Sequence, residues 1–189
     1  MRKIISKYEE NKNKKIKQYV VGGILIFIML FSTLGYSFLG GTDSHTNKII
    51  YNDLEFVNQN NFWFLNNGGA EYVFKYNPIQ IDFRDISELK DINNYYGKPL
   101  YISSKNKEAE LEIARNLYSI VQRIQHACLK NRECTENLPE KTCEDNFIII
   151  EESNNPSITQ EDNCVIIQGP KKDLLKTIDE FLFNILEIK

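Results

Sequence analysis

Tyr19 to Leu39 reads YVVGGILIFIMLFSTLGYSFL, a run of 21 residues whose only ionisable side chains are tyrosines. A helix rises about 1.5 Å per residue, so a run of this length reaches about 30 Å, the thickness of a bilayer core. A helix buried inside a soluble domain is usually shorter and keeps one polar face. Tyr19 and Tyr36 sit near the two ends, where amphipathic rings favour the membrane interface. Residues 19–39 are therefore expected to be a single transmembrane helix whose partner is the lipid bilayer.

The charges around this run set its orientation. Residues 1–18 carry Arg2, Lys3, Lys7, Lys12, Lys14, Lys15 and Lys17 against Glu9 and Glu10, a basic stub expected to stay in the cytoplasm. Residues 40–189 carry 16 Lys/Arg against 24 Asp/Glu. That acidic balance excludes a nucleic-acid binder, which needs clustered positive charge. The expected organisation is a stub (1–18), the membrane helix (19–39), a polar linker (40–47) and an extracytoplasmic domain (48–189). A cleaved signal peptide is the alternative, with Thr33 and Gly35 small enough for a cleavage site. The apolar run is long for a signal-peptide core, so an uncleaved anchor in the cell membrane is expected.

Cys128, Cys134, Cys143 and Cys164 all fall in this outer part. An even count in an exported domain reads as two disulfides. Zinc ribbons need pairs such as C-x2-C, whereas these spacings are C-x5-C, C-x8-C and C-x20-C, so no metal is expected. Four cysteines allow three pairings. The expected one joins Cys128 to Cys134 at the end of a helix, and Cys143 to Cys164 at the starts of two strands. A catalytic Cys128 served by His126 is the competing idea. On a helix, positions two apart face different ways, which places that pair poorly.

Three runs rich in β-branched and aromatic residues, Leu54–Asn58, Phe62–Leu65 and Glu71–Tyr76, are separated by Asn60-Asn61 and Asn66-Asn67-Gly68-Gly69. They read as a meander of hairpins with one aromatic face. Asp85–Leu89 reads as a helical turn, and Leu100–Ser103 as a short strand. From Asn106 to about Leu129, the stripe Leu111, Ala114, Leu117, Val121 and Ile124 predicts an amphipathic helix. Phe147–Ile150 and Val165–Gln168 read as buried strands with a loop over 153–163 between them. Gly169-Pro170 is expected to open a last helix with the stripe Leu174, Ile178, Phe181, Leu182 and Ile185, and charges opposite. The fold class is α+β, or α/β: a mixed sheet covered by two amphipathic helices and stapled by two disulfides.

No GxGxxG, P-loop, GxSxG or HExxH motif is present, so no cofactor is expected. His45 lies in the linker and His126 beside a cysteine, and neither is expected to be a catalytic base. The pairs Glu151-Glu152, Glu161-Asp162 and Asp82 with Asp85 read as solvated acidic surface. No catalytic residue is assigned.

Certain residues also carry a family likeness: Tyr51-Asn52 before Leu54-Glu55-Phe56, Trp63, Tyr72-Val73-Phe74, Tyr76-Asn77-Pro78, the four cysteines, and the run from Asn163 to Gly169. In these the chain resembles a family of small single-pass archaeal membrane-anchored proteins with a four-cysteine extracytoplasmic domain. The resemblance implies an anchored, disulfide-bearing outer domain and supplies no site residue. The expected function is a non-catalytic binding or assembly module of the cell envelope, partnered by an envelope protein or surface polymer. The alternative is an envelope enzyme that acts on glycans or peptides through carboxylates.

Overall fold

The structure is a computed structural model that describes residues 16–31, 47–86, 89–130, 132, 134 and 137–188. It divides into two compact units, residues 1–45 and 46–189. In the first unit, residues 16–31 form helix α1, with its apolar side chains exposed on every side. Among the described residues no helix is long and apolar enough to cross a membrane. The basic stub up to residue 15, the end of the apolar run (32–39) and most of the linker (40–46) lie outside the described residues.

The second unit is α+β. It begins with a four-stranded antiparallel meander: β1 (Lys48–Tyr51), β2 (Leu54–Gln59), β3 (Phe62–Asn67) and β4 (Ala70–Phe74), in that order. Each hairpin turns on two residues with positive φ: Asn52-Asp53, Asn60-Asn61 and Gly68-Gly69. That conformation matches the twist of the strands, and Asn, Asp and Gly reach it with little strain. β1 lies outside the three predicted runs and pairs with β2 across the Asn52-Asp53 turn. Strand alternation places Leu54, Phe56, Trp63, Leu65, Tyr72 and Phe74 on one face. Phe56, Leu65 and Phe74 on that face are fully buried.

The second sheet has the order β10-β11-β9-β5-β6, with β5 (Pro99–Ser104), β6 (Arg123–His126), β9 (Asn146–Glu152), β10 (Ser157–Glu161) and β11 (Cys164–Gly169). β11, β9, β5 and β6 are parallel, and β10 is antiparallel to β11. The central strand β9 buries Phe147, Ile148, Ile149 and Ile150. One face of this sheet packs on helices α2 (Lys107–Leu117) and α3 (Leu174–Ile185), which also pack against the meander. The other face is covered by the excursion that contains β7 (Cys128–Leu129) and β8 (Glu140–Lys141), a short parallel pair.

Several expectations fail here. The helix expected to run to Leu129 stops at Leu117, and the chain turns so that Gln122 N–H bonds Lys98 O at 2.9 Å and β6 pairs with β5. Extending the sheet satisfies the β5 edge and outweighs local helical periodicity. Leu111, placed on the core stripe, is 60% exposed. The expected loop over 153–163 contains β10, which pairs with β11 along its whole length. α3 begins at Leu174, after a turn in which Asp173 N–H bonds Pro170 O at 2.8 Å. Its charged side is not exposed either: Asp179 and Glu180 are buried, because α3 is covered on opposite sides by the two sheets. The helical turn expected over Asp85–Leu89 includes residues 87 and 88, which lie outside the described residues, and Asp85, Ile86 and Leu89 are irregular.

Candidate functional site

From β5 the chain passes through α2 to β6 on one side, then returns to β9 on the other side of β5. The direction of travel reverses between β5 and β9. In open α/β sheets, ligands bind in the crevice outside the carboxyl ends of the strands at such a reversal. A cleft of about 570 Å³ lies at this place. Ser103 and Ser104 from the end of β5, His126 from β6, and Glu151 and Glu152 from β9 line it. Arg132 and the Cys128–Cys134 bridge contribute from the excursion.

Several polar groups of the cleft are already engaged. Asn106 caps α2, its Oδ1 accepting from Glu108 N and Ala109 N at 3.1 Å each. Ser104 Oγ accepts from Asn106 N at 3.0 Å, so this helix start is closed by its own chain. Arg132 pairs with Glu151, which also accepts from Gln168 Nε2 at 3.0 Å. His126 pairs with Glu110 of α2. With Lys105 and Glu152 also in its lining, the cleft presents charges of both signs.

The four cysteines form two disulfides, Cys128–Cys134 and Cys143–Cys164, with Cα atoms 5.8 and 4.9 Å apart. Their surroundings differ. Cys164 is 1% exposed among Tyr101, Ala127, Phe147 and Ile149, and this bridge ties the start of β11 to the loop before β9. Asn163 N–H bonds Cys143 O at 3.0 Å in the same corner. Cys128 was expected at a helix end but lies on β7, and its bridge forms part of the cleft wall. Among the acidic pairs, only Glu151-Glu152 reaches the cleft. Asp82 instead pairs with Lys176 of α3 at 3.0 Å, and Glu161-Asp162 sits at the β10–β11 hairpin.

A second polar cluster, away from the cleft, was not foreseen. β4 is an edge strand, and side chains from both helices stand where another strand would be. Asn116 Oδ1 accepts from Val73 N, and its Nδ2 donates to Val73 O, both at 2.8 Å. Glu112 accepts from Lys75 N at 3.0 Å, and Asp179 Oδ2 accepts from Tyr76 N at 2.7 Å. Burial pushes the Asp179 carboxyl well above the ordinary carboxylate range, and the Glu112 charge adds to this. Burial raises Glu112 as well, opposed chiefly by Arg115, whose guanidinium lies 3.0 Å away. Asp179 is thus the protonated partner. Its Oδ1 receives no hydrogen bond, which leaves that oxygen able to carry the acid's proton. The sequence held one signal for this cluster: Glu112, Asn116 and Asp179 fall beside Ile113, Leu117 and Ile178 on buried helix faces.

Compared with known protein families, curated proteins and solved structures, the chain matches none.

Proposed function

We propose that the chain is a membrane-anchored, non-catalytic binding module of the cell envelope that holds its partner in the cleft at the carboxyl ends of β5, β6 and β9. The cleft carries this reading: it stands at the sheet reversal, it is large enough for a peptide or sugar segment, and it presents charges of both signs. Two disulfides fit an oxidising compartment outside the cytoplasm. The apolar run, helical over its described residues 19–31 with no polar face, fits an anchor. Anchoring confines the domain to the membrane surface and raises its effective concentration towards neighbouring envelope components.

An enzyme acting through carboxylates would need paired acids with raised pKa in the cleft. The two raised carboxyls among the described residues, Glu112 and Asp179, bond instead to the backbone beside β4. A photo-crosslinking side chain at Ser103, in cells, is the test. A specific adduct with an envelope protein or polymer is expected from Ser103 and not from Lys98 at the opposite end of β5. Equal adducts from both positions, or turnover of a glycan or peptide by the purified domain, would overturn the proposal.

A further inference from the structure

We propose that Cys128–Cys134 is a thiol–disulfide exchange site that takes a thiol-bearing partner in the cleft. The argument begins with strand geometry. His126, Ala127, Cys128 and Leu129 run from β6 into β7, and along an extended chain alternate side chains point the same way. Ala127 is buried in the cluster under the sheet and Leu129 is half-buried against it, while His126 is exposed and Cys128 half-buried, and the cleft wall takes in all four. The objection that positions 126 and 128 face apart holds for a helix and fails for this strand.

The two bridges are thereby unequal. Cys143–Cys164 is locked in the core through Cys164. Cys134 is solvent-exposed, and both residues of its bridge line a cleft that also holds His126 and Arg132. The Arg132 guanidinium is a fixed positive charge in that lining, and positive charge near a sulfur favours its thiolate form and makes it a better leaving group. The partner's thiolate attacks Cys134 Sγ, forming a new S–S bond as the Cys134–Cys128 bond breaks. The electron pair leaves on Cys128 Sγ, held as thiolate on the side of the chain that carries His126. Attack by a second partner thiolate on the mixed disulfide releases an oxidised partner disulfide and leaves Cys128 and Cys134 reduced. The partner is oxidised by two electrons and the bridge is reduced by two. This chemistry goes beyond contact binding and stands or falls independently of the anchor.

The test uses the full chain in detergent, without denaturant, in graded mixtures of reduced and oxidised glutathione, followed by thiol alkylation and peptide mapping. Cys128 and Cys134 should open at a reducing ratio at least about tenfold milder than Cys143 and Cys164 require. Opening of both bridges together, or of Cys143–Cys164 first, would overturn the proposal. In Cys128→Ser, oxidised glutathione should leave a stable adduct on Cys134, and a folded variant without that adduct would also overturn it. His126→Gln should slow opening of the bridge in the folded protein by about threefold or more. An unchanged rate would remove His126 from the mechanism.

Discussion

β4 and β6 are both edge strands, and the chain treats them in opposite ways. The backbone of β4 and the two residues beyond it is closed by Asn116, Glu112 and Asp179, so a segment that could template another strand is sealed from inside the protein. β6 is left in solvent, with Arg123, Gln125 and His126 exposed along it. Charged and polar side chains on a short edge discourage strand addition without closing it. The difference follows from position. β4 lies against α2 and α3, where an unpaired N–H would be buried and costly, whereas β6 borders the cleft and its groups can reach water.

Packing should outweigh these polar contacts in holding the meander. Phe183 of α3 meets Phe74 at 4.4 Å between ring centroids, Phe56 at 6.1 Å and Phe83 at 6.2 Å. Phe183→Ala should therefore cost about 3–5 kcal/mol in chemical denaturation. A loss below about 1 kcal/mol would mean that the edge hydrogen bonds, and not the aromatic cluster, fix the meander. In the other sheet, Ile149→Ala should cost about 2–5 kcal/mol, because β9 is buried on both faces. Ile166 of β11 is only half-buried, and its truncation should cost clearly less than that of Ile149.

The elements that were legible in the sequence are those whose signals are local. Asn60-Asn61 and Gly68-Gly69 announce hairpins because only residues tolerant of positive φ suit those turns. Phe147–Ile150 announces a strand buried on both faces because nothing in it is polar. The misread segments were decided by distant partners. The stripe through Val121 and Ile124 fits a helix, yet the open edge of β5 draws Ile124 into strand β6. Ser157–Glu161 is polar because β10 is an outer strand, and only its pairing with β11 makes it a strand. The cleft was illegible for the same reason, since it arises from a strand order that returns past β5. Glu112, Asn116 and Asp179 looked like ordinary helix polarity, because the backbone groups they satisfy lie 37, 43 and 103 residues away.

The contrast between the edges can be tested directly. Asn116→Ala strips both hydrogen bonds from Val73 and leaves a buried N–H and C=O unpaired. It should cost about 2–4 kcal/mol, since each orphaned group costs about 1–3 kcal/mol. Gln125→Ala on the open edge should stay within about 0.5 kcal/mol of the parent. Equal effects at the two positions, measured by urea unfolding, would show that β4 is not closed in the way described.

The smallest effect is the one most specific to the closed edge. Asp179 keeps its proton in the folded state to a pH well above the ordinary value of 3.8 and releases it near that value once unfolded. Between the two, the folded chain holds one proton more than the unfolded chain. Stability from this site is therefore fully present below the ordinary range and falls as pH rises through the window, by about 1.4 kcal/mol per pH unit for a single proton. Asp179→Asn preserves the shape of the protonated acid. Its amide oxygen can accept from Tyr76 N–H, and its amide nitrogen can donate to the Glu112 carboxylate, with no proton to lose. Urea unfolding of parent and variant across about pH 4 to 8 should show a parent that weakens relative to the variant as pH rises, with the two curves closest at the acid end. Parallel curves would place the proton elsewhere. A variant that lost several kcal/mol at every pH would mean that Asp179 works as an anion, and the closed edge would then rest on charge rather than on a shared proton.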